Sequence, residues 1–243
     1  MRIFTTALVA SILVYFFSSC AMTQAYYQIS QAKPMDESIV KSNNDDNGYY
    51  YQDQNCRISY DFWEVNGDGG FVVTNLTDQV LYIIKDKCFF IKNGVSYDYF
   101  HNNEWVGSSD SDKGSKHTHE KNVIGIAPHT SRSIREYNIY PYVYLDCDLD
   151  RKPGANHPAT MAFTPANSPV RFGNFITYKV GDDGQEQEVR NMFYTSRVTN
   201  YRKSDLQFSR LEEYCPNISD VRREIVSYLR FAPTTGYYVT YTK

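Results

Sequence analysis

The chain has no apolar run long enough to cross a bilayer, no basic cluster, and no two cysteines at the spacing of a redox or zinc motif. Its longest apolar stretch, Ile3 to Phe17, is broken only by Thr5, Thr6 and Ser11 and covers 15 residues. A membrane-spanning helix needs about 20. The 25 basic residues are scattered and stand against 28 acidic ones, so nothing in the charge pattern attracts nucleic acid. G-x-S-x-G, H-E-x-x-H, C-x-x-C and the phosphate-binding glycine loop are all missing. Without such a signature the sequence implies no cofactor and no catalytic residue, and it leans away from an enzyme. A hydrolase stays open as an alternative, because triads converge in space and leave little trace in sequence.

What is present begins at the N-terminus. Arg2 and a short apolar run, followed by Phe17-Ser18-Ser19-Cys20, read as an export signal over residues 1–19 that ends at a lipid-accepting cysteine. Cleavage there leaves 224 residues with 24 basic and 28 acidic side chains, a net charge of −4. Lipid on Cys20 implies a membrane tether and an address in the cell envelope, at the outer membrane. Each buried methylene contributes about 0.8 kcal/mol, so two or three acyl chains make such attachment stable. Secretory cleavage after Ala25, or an uncleaved anchor helix, are the competing readings of the same residues.

Residues 20–54 read as a lipidated start and flexible tether, on the strength of the polar, turn-forming stretch Lys41 to Gly48. Residues 55–243 then form a single domain. With 22 Tyr and 14 Phe but only 2 Trp, the chain has strand composition, since an aromatic ring packs on one face while a phenol reaches a partner. Ile58, Tyr60 and Phe62 alternate with Ser59, Asp61 and Trp63. Asn93-Gly94 between two apolar-aromatic runs predicts a hairpin with a type I′ turn. Further strands are expected at Gln79–Ile84, Val123–Ile126, Ser133–Tyr137, Tyr142–Leu145, Ala159–Phe163, Val170–Val180, Glu186–Val198 and Tyr237–Tyr241. The predicted fold is mainly β, an antiparallel sandwich, with one C-terminal helix from the spacing of Ile218, Val221, Ile225 and Leu229.

Ser19-Cys20-Ala21 with Tyr26-Tyr27-Gln28, the block Cys56–Phe100 and the segment Asn167–Tyr178 together resemble a group of Bacteroidetes lipoproteins. The resemblance spans about a third of the chain. It implies the lipid anchor and a β-rich domain, and it brings no activity with it.

Three clusters are candidates for chemistry. Asp146, Asp148 and Asp150 alternate, so an extended backbone would align three oxygen donors suited to a hard cation, against the simpler reading of a solvated acidic edge. His117 and His119, near Asp110, Asp112 and Glu120, have the donors of a transition-metal site but lie in a polar segment, 101–121, read as an exposed loop. Cys56, Cys88, Cys147 and Cys215 allow two disulfides in three connectivities, or free buried thiols. The partners that fit are the membrane, through lipid, and an envelope protein or a glycan; nucleic acid does not fit. The leading expectation is a non-enzymatic binding or scaffolding module of the envelope, with glycan binding by exposed aromatics as the alternative.

Overall fold

The computed structural model describes residues 24–42, 48–102, 104–107, 116–150, 158–217 and 220–242. Cys20 and the expected signal over residues 1–19 lie outside them. The architecture is mainly β, with antiparallel sheets and few helical turns. A nine-stranded sheet runs in the order β11 (Val123–Ile126), β6 (Leu81–Ile84), β14 (Arg171–Val180), β15 (Gln187–Arg202), β1 (Ala25–Pro34), β18 (Gly236–Thr242). Off this path, β13 (Ala159–Ala162) pairs with β15, and β7 (Phe89–Lys92) pairs with both β14 and β8 (Val95–Asp98). The large sheet curls into a half-barrel. A second sheet of five strands runs β12 (Ser131–Ile134), β5 (Phe71–Asn75), β4 (Cys56–Tyr60), β3 (Tyr49–Gln52), β2 (Val40–Lys41).

Two ribbons complete the described strands, β9 (Glu104–Gly107) with β10 (Lys116–His119) and β16 (Gln207–Asn217) with β17 (Asp220–Leu229).

Aromatic side chains join the two large sheets. Phe193 of β15 is fully buried, and its ring centre lies 5.0 Å from Tyr60, 4.9 Å from Phe62, 5.6 Å from Tyr49 and 5.7 Å from Phe172. Offset and edge-on ring pairs of this kind add about 0.5–1.5 kcal/mol each to what burial supplies. The buried phenols are also satisfied. Tyr60 Oη accepts from Asn191 Nδ2 at 2.7 Å, and Tyr49 Oη donates to the Ala32 carbonyl at 3.1 Å. Tyr237 and Thr195 share a hydrogen bond of 2.9 Å. That pairing is why tyrosine, rather than phenylalanine alone, fills this interior.

The alternation read at Ile58–Trp63 is correct in phase: Ile58, Tyr60 and Phe62 are buried, while Ser59, Asp61 and Trp63 face out. The Asn-Gly hairpin also forms. Asn93 and Gly94 have φ of 49° and 84°, and Lys92 pairs with Val95.

Four expectations need correction. The tether over residues 20–54 does not hold for residues 25–34 or 49–52. β1 is the strand between β15 and β18, with Gln28, Ile29, Ser30 and Ala32 buried, because its own pattern offers apolar and hydrogen-bonding side chains to two neighbours. The expected C-terminal helix is the strand β17. Val221, Ile225 and Leu229 lie four apart, which suits one face of a strand as well as one face of a helix, and the β-branched content favours the strand. The polar segment 101–121 contains the ribbon β9–β10, with His117 opposite Val106 and His119 opposite Glu104. Tyr142–Leu145 is not a strand.

Candidate functional site

The outer face of the five-stranded sheet carries two polar rows fixed by register. Pairing of Tyr50 with Ser59, Ser59 with Val72 and Val72 with Ser133 makes the first. Gln52, Arg57, Thr74 and Ser131 make the second, one pleat away. Since β4 turns Cys56, Ile58 and Tyr60 inward, the two-residue period forces Arg57 and Ser59 outward. The second row is bonded in two pairs: Arg57 Nε donates to Gln52 Oε1 at 2.8 Å, and the Thr74 and Ser131 hydroxyls meet at 2.8 Å. The Arg57 guanidinium lies 4.9 Å from the centre of the Tyr50 ring, which orients both groups by a cation–π contact.

At one end of this face the chain turns through Asn66 and Gly67, both at positive φ, and delivers Asp68. Asp68 Oδ1 accepts from the Gly70 amide at 2.8 Å, and Oδ2 pairs with Arg135 Nε at 3.0 Å. Burial holds its carboxyl above the usual range, aided by the nearby charges of Glu64 and Asp61; the Gly70 amide and Arg135 pull the other way. Together with Tyr50, Arg57, Ser59, Asp61 and Thr74, this pair lines a half-open groove of about 340 Å³. That size lies at the lower end for small-molecule sites. One aromatic face, hydroxyls and balanced charges of both signs suit a polar, hydroxyl-rich ligand. A broader depression of about 740 Å³ lies at the root of β16, between Ala25, Lys203 and Phe208, but carries no carboxylate and no such pairing.

A second polar constellation closes the root of the β9–β10 ribbon. Lys85 is buried and donates to Glu120 Oε1 and, at 3.1 Å, to Glu136 Oε1. Glu120 Oε2 accepts from the His101 amide at 3.0 Å, and Glu136 Oε2 meets His101 Nε2 at 3.1 Å. Burial disfavours the lysine charge, yet the two carboxylates outweigh it and hold Lys85 above its ordinary range. All four carboxylate oxygens are engaged, so the cluster is a clasp between the end of β6 and the end of β12 rather than a set of groups held ready for chemistry.

The candidates singled out from sequence are described only in part. Asp146 Oδ1 accepts from the Asp148 amide at 2.8 Å and caps a one-turn helix, α1 (Cys147–Asp150), so the three aspartates do not alternate along an extended backbone. The side chains of Asp150, His117 and His119 lie outside what is described. Among the described residues no group of three His, Cys, Asp or Glu side chains is placed to hold a metal ion.

Cys56, Cys88, Cys147 and Cys215 are free thiols, the first two buried and the last two exposed. Burial pushes the Cys56 thiol up to about 12, with the Asp53 carboxylate adding to it, and the Cys88 thiol up to about 11. Cys88 Sγ donates to the Ile84 carbonyl at 3.2 Å and accepts from the Thr177 amide at 3.3 Å, packing as a small polarizable core residue.

Sequence reading missed the groove and the clasp. The alternation of β3 to β5 already placed Tyr50, Arg57 and Ser59 outward, and that was the available signal for the groove. No spacing relates Lys85, His101, Glu120 and Glu136. Compared with protein-family models, curated proteins and solved structures, the chain matches none.

Proposed function

We propose that the protein is an exported lipoprotein of the bacterial cell envelope, held to the outer membrane through Cys20, whose β domain binds rather than catalyses. The apolar run and small residues before Cys20 support the anchor, together with the resemblance to Bacteroidetes lipoproteins. The single observation that supports a binding role is the groove on the outer face of the five-stranded sheet, where Tyr50, Arg57, Asp68 and Arg135 offer recognition groups and no nucleophile–base pair stands among them. Metabolic labelling with a fatty acid tests the anchor: Cys20→Ala abolishes the label and releases or mislocalises the protein. Label that persists on the variant refutes it.

A saccharide is the ligand class favoured by one specific feature, the Tyr50 ring beside the Arg57 guanidinium and the hydroxyls of Ser59 and Thr74. Sugars stack an apolar face on a ring and bond their hydroxyls to charged and hydroxylic groups. Calorimetric titration with oligosaccharides gives saturable binding that Tyr50→Ala weakens about tenfold, the loss of roughly 1.4 kcal/mol. Heat that does not saturate at millimolar ligand removes the glycan reading and leaves an envelope protein as the partner.

A further inference from the structure

β16 and β17 form a two-stranded sheet that no third described strand joins. Eleven extended residues reach about 36 Å, so the ribbon is an arm. An isolated two-stranded ribbon is marginal in water, and this one also exposes apolar side chains. Leu211 and Ile225 stand directly opposite each other and are 59% and 71% exposed; Val221, two pleats along on the same face, is 61% exposed. The other face of β16 presents Phe208, Arg210, Glu212 and Tyr214. There Glu212 lies directly across from Glu224, a like-charge pairing that weakens a ladder unless a cation stands beside it.

We infer that the open edge of β16 pairs antiparallel with β16 of a second copy of this chain, about a two-fold axis at Leu211, to make one four-stranded sheet. The strand is self-complementary in that register. Pairing about Leu211 sets Arg210 opposite the partner's Glu212, and by symmetry Glu212 opposite the partner's Arg210, so a cation of the partner stands directly across from each Glu212. Phe208 falls opposite the partner's Tyr214. On the other face, between the Ser209–Ser227 and Glu213–Arg223 pairs, Ile225 and Leu211 continue into the partner's Leu211 and Ile225, a row of four apolar side chains across the sheet. The ladder runs from Gln207 to Cys215, and Pro216, which has no N–H to donate, falls beyond it. Pairing of β17 with itself about Ile225 is poorer, since it sets Glu224 against Val226 and makes no ion pair between Val221 and Leu229. A self-complementary patch on a two-fold axis is the commonest route to a closed oligomer.

Sedimentation velocity on the chain from Ala21 onward, which retains every described residue, tests this directly. The wild-type chain sediments as a dimer. Arg210→Glu and Glu212→Arg each weaken association at least tenfold, and the double exchange R210E/E212R restores it, with melting temperatures reporting that the domain stays folded. In a Cys147→Ser/Cys215→Ser background, Leu211→Cys crosslinks under mild oxidation, because directly opposed residues have Cα atoms about 4.5–5.5 Å apart, inside the range a disulfide accepts. Ser209→Cys, four positions out of register with its own copy, does not crosslink. A monomer at hundreds of micromolar, a double exchange that stays dissociated, or crosslinking at position 209 in preference to 211 overturns the pairing.

Discussion

The phenol of Tyr99 donates a hydrogen bond of 2.5 Å to Oδ1 of Asn174, and both side chains are buried. Asn174 extends the connection, its Nδ2 donating to the Gly69 carbonyl at 3.1 Å. β14 is thereby tied to the chain following β8 and to the turn that delivers Asp68. Tyr99→Phe leaves the amide oxygen buried without this donor, which costs about 1–3 kcal/mol. Chemical denaturation should show that loss. In a double-mutant cycle with Asn174→Ala the two losses should fail to add, whereas simple additivity would show that the bond contributes nothing.

Burial raises the phenol of Tyr99, and it likewise raises Tyr60, Tyr178 and Tyr237, the last to about 12. Their folded values exceed the unfolded value of about 10. The stability they contribute is therefore complete below about pH 10 and is lost as pH rises through the folded values. Phenolate absorbance should titrate in two stages, exposed tyrosines first and the buried set together with unfolding. One smooth transition with the fold intact would contradict this assignment of burial.

The four described cysteines should divide into two kinetic classes. Cys147 and Cys215 are exposed and should be alkylated in the native protein, while Cys56 and Cys88 should react only after denaturation. Mass spectrometry after brief treatment with iodoacetamide separates the classes. Equal labelling of all four would show that the buried thiols reach solvent.

Gly94 has φ of 84°, and a Cβ added there meets no atom within 4 Å. Any cost of Gly94→Ala is therefore backbone conformation alone, about 1–2 kcal/mol for a left-handed residue. Thermal unfolding should register it, and an unchanged melting temperature would mean that the type I′ turn rearranges freely.

Much of the fold is legible in local sequence. The Asn-Gly turn declares itself because only certain residues tolerate positive φ, and Ile58–Phe62 shows its buried face because a strand turns over every residue. β17 is not legible in the same way. A spacing of four is shared by the helical and the extended periods, so Val221, Ile225 and Leu229 satisfy both, and only pairing with β16 selects one. β1 fails for a related reason. Gln28 and Ser30 look like tether residues until β15 and β18 enclose them, and Gln28 Nε2 then donates to Asn200 Oδ1 at 3.0 Å.

What the sequence by itself determined, then, is the β-rich class, the face each core strand turns inward and the turns between near neighbours, all set by interactions a few residues long. The tertiary structure alone decided the groove, whose rows need β3, β4, β5 and β12 in one register. It also decided the clasp, which gathers Lys85, His101, Glu120 and Glu136 from four separate stretches. Both depend on which distant strands pair and in what register, a choice made by the packing of a common core around Phe193 and written in no single segment.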